Sequence, residues 1–244
     1  MGPFPDGVYR AQFPYYYRNP EGMPQEAALD YYLNSIKDVF EQCGPADSIA
    51  AIVVEPLQGE GGFIPAPIEW VKAVRKICDE NGILLVADEV QTGFCRTGRM
   101  FATQYWEEAG VQPDILATAK FIAAALKTIE IMERDDLAGR SCEIGEKVSK
   151  RFNEWKEKYP VIGDVRGLGG MIGLEFVKDQ ESKEPYPEFS AAVISGCAKK
   201  GLMIEGAGTY GNVIRFLAPL VMTDEQLEAG LDIYESVIKE LLEK

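Results

Sequence analysis

The feature that most limits what this chain can become is an alternation, in its first half, of short apolar runs with amphipathic stretches. Ile49-Ala50-Ala51-Ile52-Val53-Val54, Ile83-Leu84-Leu85-Val86-Ala87 and Asp114-Ile115-Leu116-Ala117-Thr118 are short and rich in β-branched or aliphatic side chains. Runs that stay apolar at successive positions read as strands buried on both faces, as in a parallel sheet. The stretches around them have helical spacing. Leu29, Leu33, Ile36, Val39 and Phe40 mark a helix over 25–42 that Gly44-Pro45 ends. A helix over 67–80 is closed by Asn81-Gly82, and one over 101–108 by Gly110. Strand, helix, strand, helix, strand predicts an α/β unit built on a parallel-rich sheet.

The second half has a different rhythm. Residues 121–159 read as two helices broken near Arg134-Asp135-Asp136, and 161–176 as strand, turn, strand around five glycines. A helix over 188–200, a strand over 212–217 and a C-terminal helix follow. Thr223 with Gln226 three residues on gives that last helix a capping box. The change of character places a domain boundary near residue 134: 1–134 is α/β and 135–244 is α+β. The proline- and aromatic-rich residues 1–24 read as an extended arm, too apolar for solvent, that lies on a partner surface. The charged stretch 178–184 reads as a solvated loop.

Composition narrows the function. With 25 basic and 39 acidic residues the net charge is −14, so phosphate backbones and anionic lipid surfaces repel this chain. Neither nucleic-acid nor membrane binding is expected. Histidine is absent, which removes Ser-His and Cys-His catalysis and His-ligated metals. Any proton shuttle is then Lys, Asp, Glu, Tyr or Cys. Cys43, Cys78, Cys95, Cys142 and Cys197 are scattered and never form CxxC, so neither a zinc site nor a disulfide framework is expected. Reduced thiols, and an N-terminus (Met1-Gly2-Pro3-Phe4-Pro5) without a signal-peptide pattern, predict a cytoplasmic location.

Chemistry-bearing residues follow the three predicted strands. Glu55 follows the first, Asp88-Glu89 the second and Lys120 the third. Ligands of open α/β sheets bind beyond the carboxyl ends of the strands, so these side chains are expected around one crevice. The competing reading makes Asp88 a helix N-cap and Lys120 a solvent-exposed lysine. A lysine amine forms a Schiff base with a carbonyl, and an acidic side chain keeps a pyridine nitrogen protonated. An Asp and a Lys in a chain without histidine therefore suit pyridoxal phosphate chemistry.

Long motifs carry a resemblance. Residues 52–63 (Ile52-Val53-Val54-Glu55-Pro56-Leu57-Gln58-Gly59-Glu60-Gly61-Gly62-Phe63), 86–98 (Val86-Ala87-Asp88-Glu89-Val90-Gln91-Thr92-Gly93 onward) and 113–120 (Pro113-Asp114-Ile115-Leu116-Ala117-Thr118-Ala119-Lys120) resemble the class III, PLP-dependent aminotransferases, and within them the 4-aminobutyrate aminotransferase branch. Gly167-Leu168-Gly169-Gly170-Met171 and Gly211-Asn212-Val213-Ile214-Arg215-Phe216 extend the match over nearly the whole chain.

The resemblance implies an incomplete PLP-dependent transferase of fold type I, with 1–134 a partial large cofactor-binding domain and 135–244 the C-terminal small domain. It implies pyridoxal 5'-phosphate as cofactor and a homodimer as the assembly. Lys120 would be the catalytic, cofactor-linked lysine, Asp88 the partner of the pyridine nitrogen, and Gln91 a hydrogen-bond partner near the phenolic oxygen. Arg215 would hold a substrate carboxylate, and Glu55 would sit by the substrate and pair with an arginine when no second carboxylate is present. The glycines at 59, 61 and 62 read as a tight turn.

The implied reaction moves an amino group from an ω-amino acid, such as 4-aminobutyrate, to a 2-oxo acid such as 2-oxoglutarate. Ornithine or acetylornithine aminotransferase, another class III enzyme such as an aminomutase, and a catalytically dead remnant acting through protein contacts are the alternatives. Two family segments have no match in this chain: the N-terminal part of the large domain, and a Ser/Gly-rich loop with a Thr-bearing segment after Lys120 that helps clamp the phosphate. Disordered cofactor loops left out at this point predict an interruption between Lys120 and Phe121. A true shortening predicts a continuous peptide there and weak or no cofactor binding.

Overall fold

A computed structural model describes residues 6–118 and 122–243. The Lys120–Phe121 junction lies outside these residues. Along the chain run α1 (Ala28–Gln42), β1 (Ala51–Val54), β2 (Leu57–Gln58), β3 (Ile64–Pro65), α2 (Ile68–Asn81), β4 (Leu84–Asp88), α3 (Gln104–Glu108) and β5 (Ile115–Ala117). After them come α4 (Ile122–Arg134), α5 (Leu137–Lys158), β6 (Ile162–Leu168), β7 (Met171–Phe176), α6 (Pro187–Lys199), β8 (Glu205–Ala207), β9 (Val213–Phe216) and α7 (Asp224–Leu242). They form two compact units. The first holds the chain up to Val54, Ala66–Asp88 and Tyr105–Ala117; the second holds Glu55–Pro65, Glu89–Gln104 and the chain from Thr118 on. The expected boundary at residue 134 falls inside the second unit, at the break between α4 and α5.

The first unit is the α/β element that the apolar runs predict. β1, β4 and β5 lie in that order and are parallel, with Val54 opposite Ala87 and Asp88 opposite Ala117. Val54, Leu85 and Ala87 share a core with Tyr32 and Ile36 of α1 and with Trp70, Val74 and Cys78 of α2. Gly82 ends α2 in the left-handed region at φ 68°, where a side chain is disfavoured.

One expectation changes here. The strands are covered on one face only: on the other, Val53 is 64% exposed, Leu84 45% and Ile115 48%. Their apolar sequence is that of two-sided burial, and apolar runs alone do not say which face is covered. Residues 12–16 of the N-terminal arm pack on their own unit. Phe13 packs against Trp70 with ring centroids 5.6 Å apart, the Tyr16 hydroxyl donates to Glu69, and the Gln12 N–H donates to the Ser35 hydroxyl. Phe13 and Tyr16 find cover against Trp70 of α2 and Tyr32 of α1, while Tyr9 stays 46% exposed.

The second unit carries an antiparallel sheet in the order β6-β7-β9-β8 and a small β2–β3 hairpin. β7 is buried along its whole length. Ile172, Leu174 and Phe176 share one core with Ile144, Val148, Phe152 and Trp155 of α5, Val193 and Cys197 of α6, and Leu231, Tyr234 and Ile238 of α7. The turn after β6 comes so close to α5 that a Cβ on Gly145 would stand 2.0 Å from the Gly169 carbonyl oxygen. Thr223 and Gln226 form the predicted capping box at the start of α7. β8, which has only three residues including Gly206, was not expected from the sequence.

Ion pairs bind α7 to α5. Arg151 reaches Glu228, Asp232 and Glu235, while Lys158, Tyr159 and Lys239 also donate to Glu235. Partial burial raises the pKa of the Glu235 carboxyl, but these four donors outweigh it and hold the group near 2, against 4.5 ordinarily. That difference is worth on the order of 3 kcal/mol at neutral pH. A lowered folded-state value means the stabilisation is full above the unfolded value and is lost as pH falls toward 2. Urea unfolding of Glu235→Gln is expected to show a loss of about 2 kcal/mol at pH 7, shrinking as pH drops from about 4.5 toward 2.

Candidate active site

The parallel strands of the first unit present their carboxyl ends together. β4 ends at Asp88, whose side chain is half-buried, and the register sets Asp88 beside Ala117 of β5. No helix starts at Asp88; the next one, α3, begins at Gln104, so the N-cap reading does not hold. Lys120 stands three residues beyond Ala117 in the sequence and lies outside the described residues. Its expected convergence with Asp88 and Gln91 is therefore not addressed by the geometry.

Within the second unit, the segment after β4 is anchored by Glu89, which is fully buried. One carboxylate oxygen accepts the Thr103 N–H at 2.6 Å and the other accepts the Thr92 hydroxyl at 2.5 Å. The Gly93 N–H donates to the Glu89 carbonyl at 3.0 Å. A buried carboxylate is costly unless its oxygens are satisfied, so these bonds fix the 89–103 segment around it. The same segment holds Phe94 and Cys95 in the left-handed region, at φ 58° and 68°, where non-glycine residues are strained. In the sequence the signal for this anchor is a glutamate just past the strand end with a threonine three residues on.

Gln91 belongs to this segment and meets the β2–β3 turn. A Cβ on Gly59 would stand 1.5 Å from the Gln91 side-chain oxygen, so the glycine leaves the space that the amide occupies. The Gly59 N–H donates to Glu55 at 2.8 Å, and the Gly62 N–H to the Gly59 carbonyl at 3.1 Å, which makes this stretch the predicted tight turn. The structure thus brings Glu55 and Gln91 to the two sides of Gly59.

Arg215 lies on β9. Its Nε and Nη2 both donate to Glu205 of β8, at 3.1 and 2.7 Å, and its Nη1 donates to Glu60. Burial lowers the pKa of the guanidinium, and the two glutamates more than reverse that. Its acidic partners are therefore Glu60 and Glu205, neither of which the sequence reading singled out. Among the described residues, no cluster of Cys, Asp and Glu is arranged to hold a metal ion. No helix there is long and apolar enough to cross a membrane.

Glutamine can replace the two-sided acceptor at position 89 in part: its oxygen accepts from Thr103 and its amide donates to the Thr92 oxygen. Alanine leaves the Thr103 N–H unpaired beside a cavity. Chemical denaturation is expected to cost Glu89→Gln about 1 kcal/mol and Glu89→Ala about 3 kcal/mol.

Comparison with known proteins places this geometry in a family. The aminotransferase class-III pattern matches residues 1–126 and 121–238, and the chain belongs to that family. A probable 4-aminobutyrate aminotransferase of Bacillus subtilis is 37% identical over 274 residues, covering 98% of this chain and 62% of the relative. A 5-aminovalerate aminotransferase of Pseudomonas putida is 38% identical, covering 99% of this chain and 62% of the relative. Among solved structures, the PLP-bound amine transaminase of an uncultivated Pseudomonas species superposes with a TM-score of 0.82 at 28% identity, over 93% of this chain and 60% of that one. The chain thus spans about three-fifths of the length of these proteins. The fold is that of the α/β PLP transaminases. Because the first alignment runs over 274 residues and the chain has 244, at least 30 of its positions have no counterpart here.

Proposed function

We propose that this chain, with pyridoxal 5'-phosphate, transfers the amino group of an ω-amino acid such as 4-aminobutyrate or 5-aminovalerate to a 2-oxo acid such as 2-oxoglutarate. The observation that carries the reading is the matched motif from Glu55 through Asp88 and Gln91 to Lys120, in a family member whose relatives are named for ω-amino acid substrates. The side chains suit the cofactor. An acid ends β4, and a primary amide is seated where Gly59 has no side chain to block it. A lysine follows the third strand in sequence.

When bound, the cofactor supplies an electron-accepting ring that stabilises negative charge on the substrate carbon. In this reading Asp88 would hold the cofactor's ring nitrogen in its protonated form, Gln91 would donate its amide near the phenolic oxygen, and Lys120 would be the lysine that carries the cofactor and moves the proton at the substrate carbon. Arg215 orients the substrate by a two-pronged contact to its carboxylate that lysine cannot copy. Glu55, holding the Gly59 N–H, keeps the turn against Gln91.

The reading includes a homodimer, a cytoplasmic location, and the division into a partial cofactor domain (1–134) and a small domain (135–244). The family match meets itself at residues 121–126, and the relatives carry at least 30 positions that this chain lacks. Both facts support a shortened stretch after Lys120 and a looser hold on the cofactor's phosphate.

The test is turnover with saturating pyridoxal phosphate, 2-oxoglutarate, and a donor panel of 4-aminobutyrate, 5-aminovalerate and ornithine. Turnover is expected with the first two and none in Lys120→Ala. Arg215→Lys is expected to raise the KM for the carboxylate substrate about ten-fold with a smaller change in kcat. No turnover at any cofactor concentration supports the remnant reading instead.

A further inference from the structure

One row of residues crosses the antiparallel sheet of the second unit. Arg166 of β6 stands opposite Gly173 of β7, and Gly173 opposite Arg215 of β9. Cross-strand partners share a face, so two arginines flank a glycine on one side of the sheet. The turn between β2 and β3 lies over that glycine. A Cβ on Gly173 would stand 3.2 Å from the Gly62 carbonyl oxygen and 3.2 Å from the Phe63 Cβ. Each arginine holds the turn from its own side: Arg166 Nε donates to the Gly62 carbonyl at 2.9 Å, and Arg215 donates to Glu60.

Arg166 is itself fixed from below. Its Nη1 donates to Glu175 at 2.7 Å and to Asp164 at 2.9 Å. Its side chain is only 10% exposed, and Glu175 is fully buried. A guanidinium is planar and presents its donors in fixed directions, so holding the Nη1 end also aims Nε. The turn that Nε reaches faces Gln91. The Gly62 N–H donates to the Gly59 carbonyl, and Gly59 leaves the space that the Gln91 side-chain oxygen fills. A displaced Gly62 therefore displaces the surface on which the Gln91 amide rests.

We propose that Arg166 is a positioning residue: its Nε sets the height of the 59–62 turn over Gly173, and through the turn the place of the Gln91 amide. Its effect on turnover rests on the reading of Gln91 as a cofactor partner; its hold on the turn does not. The buried charges of Glu175 and Asp164 then serve to aim a hydrogen bond. A buried ion pair adds little net stability over a neutral replacement, so the pair alone gives no reason for an arginine here.

The test separates the ε donor from the charge. Arg166→Lys keeps a cation for Glu175 and puts a methylene where Nε stands. Arg166→Gln combined with Glu175→Gln keeps an N–H donor at that position and removes both charges. NMR of the full chain without pyridoxal phosphate reads hydrogen exchange at the Gly62 N–H and the resonances of the Gln91 side-chain amide; kcat/KM for 4-aminobutyrate is measured with the cofactor. Arg166→Lys is expected to speed exchange at Gly62 about ten-fold while β7 amides keep their protection. It is also expected to shift the Gln91 amide and to lower kcat/KM about ten-fold. The double variant is expected to leave the Gln91 amide in place and to keep exchange and kcat/KM within about two-fold of the wild type. The reverse order, with Arg166→Lys near the wild type and the double variant loosened, makes the residue a charge partner only and overturns the proposal. So does a loosened turn that leaves the Gln91 amide unmoved, and so does a loss of β7 protection equal to that at Gly62. If the double variant does not fold, Arg166→Lys decides by the comparison of Gly62 with β7. The expected NMR order in a chain without turnover supports the hold on the turn and fails the aminotransferase reading instead.

Discussion

Parallel pairing of β1, β4 and β5 sends three carboxyl ends to one edge of one sheet, and the chain leaves that edge at Glu55, Glu89 and Thr118. That register depends on burying Val54, Leu85 and Ala87 against α1 and α2. A one-residue slip of β4 would turn Leu85 outward and take Asp88 off its place beside Ala117. The chemistry proposed for Asp88 therefore rests on apolar packing at the opposite side of the strand. The half-open sheet is also the feature most unlike a complete parallel sheet: Val53, Leu84 and Ile115 are exposed on a face whose residues are as apolar as those of the covered one.

A second constraint works through hydrogen bonds. Glu89 is buried, and among the described residues it is satisfied by a backbone N–H and a hydroxyl from its own segment. Its oxygens fix the loop that carries Gln91, and Gly59 completes the arrangement by having no side chain. In the second unit the β8–β9 register does comparable work, since it sets Glu205 opposite Arg215.

Much of this was legible in the sequence, for local reasons. The strands of the first unit announced themselves by β-branched runs, α2 by Asn81-Gly82, the α4–α5 break by its charged residues, and α7 by its capping box. What escaped was short or non-local. β8 has three residues and no periodicity, and β2 and β3 have two each. One-sided cover of the parallel sheet depends on which elements are present, not on the strand sequence. The pairing of Arg215 with Glu60 spans 155 positions. Glu89 stood in the motif, but its burial is a property of the fold. The residues Asp88, Gln91, Lys120, Glu55 and Arg215 came from the family resemblance and from strand-end positions, and Lys120 lies outside the described residues.

The central claim is that pyridoxal phosphate is held through Lys120 in this family member. Its most direct test is borohydride reduction of the chain with one equivalent of pyridoxal phosphate, followed by peptide mapping. The account predicts one stable pyridoxyl group per chain, on Lys120, with labelling sharply reduced in Asp88→Ala. Labelling spread over surface lysines such as Lys72, Lys76 and Lys150, with Lys120 unmodified, would contradict it.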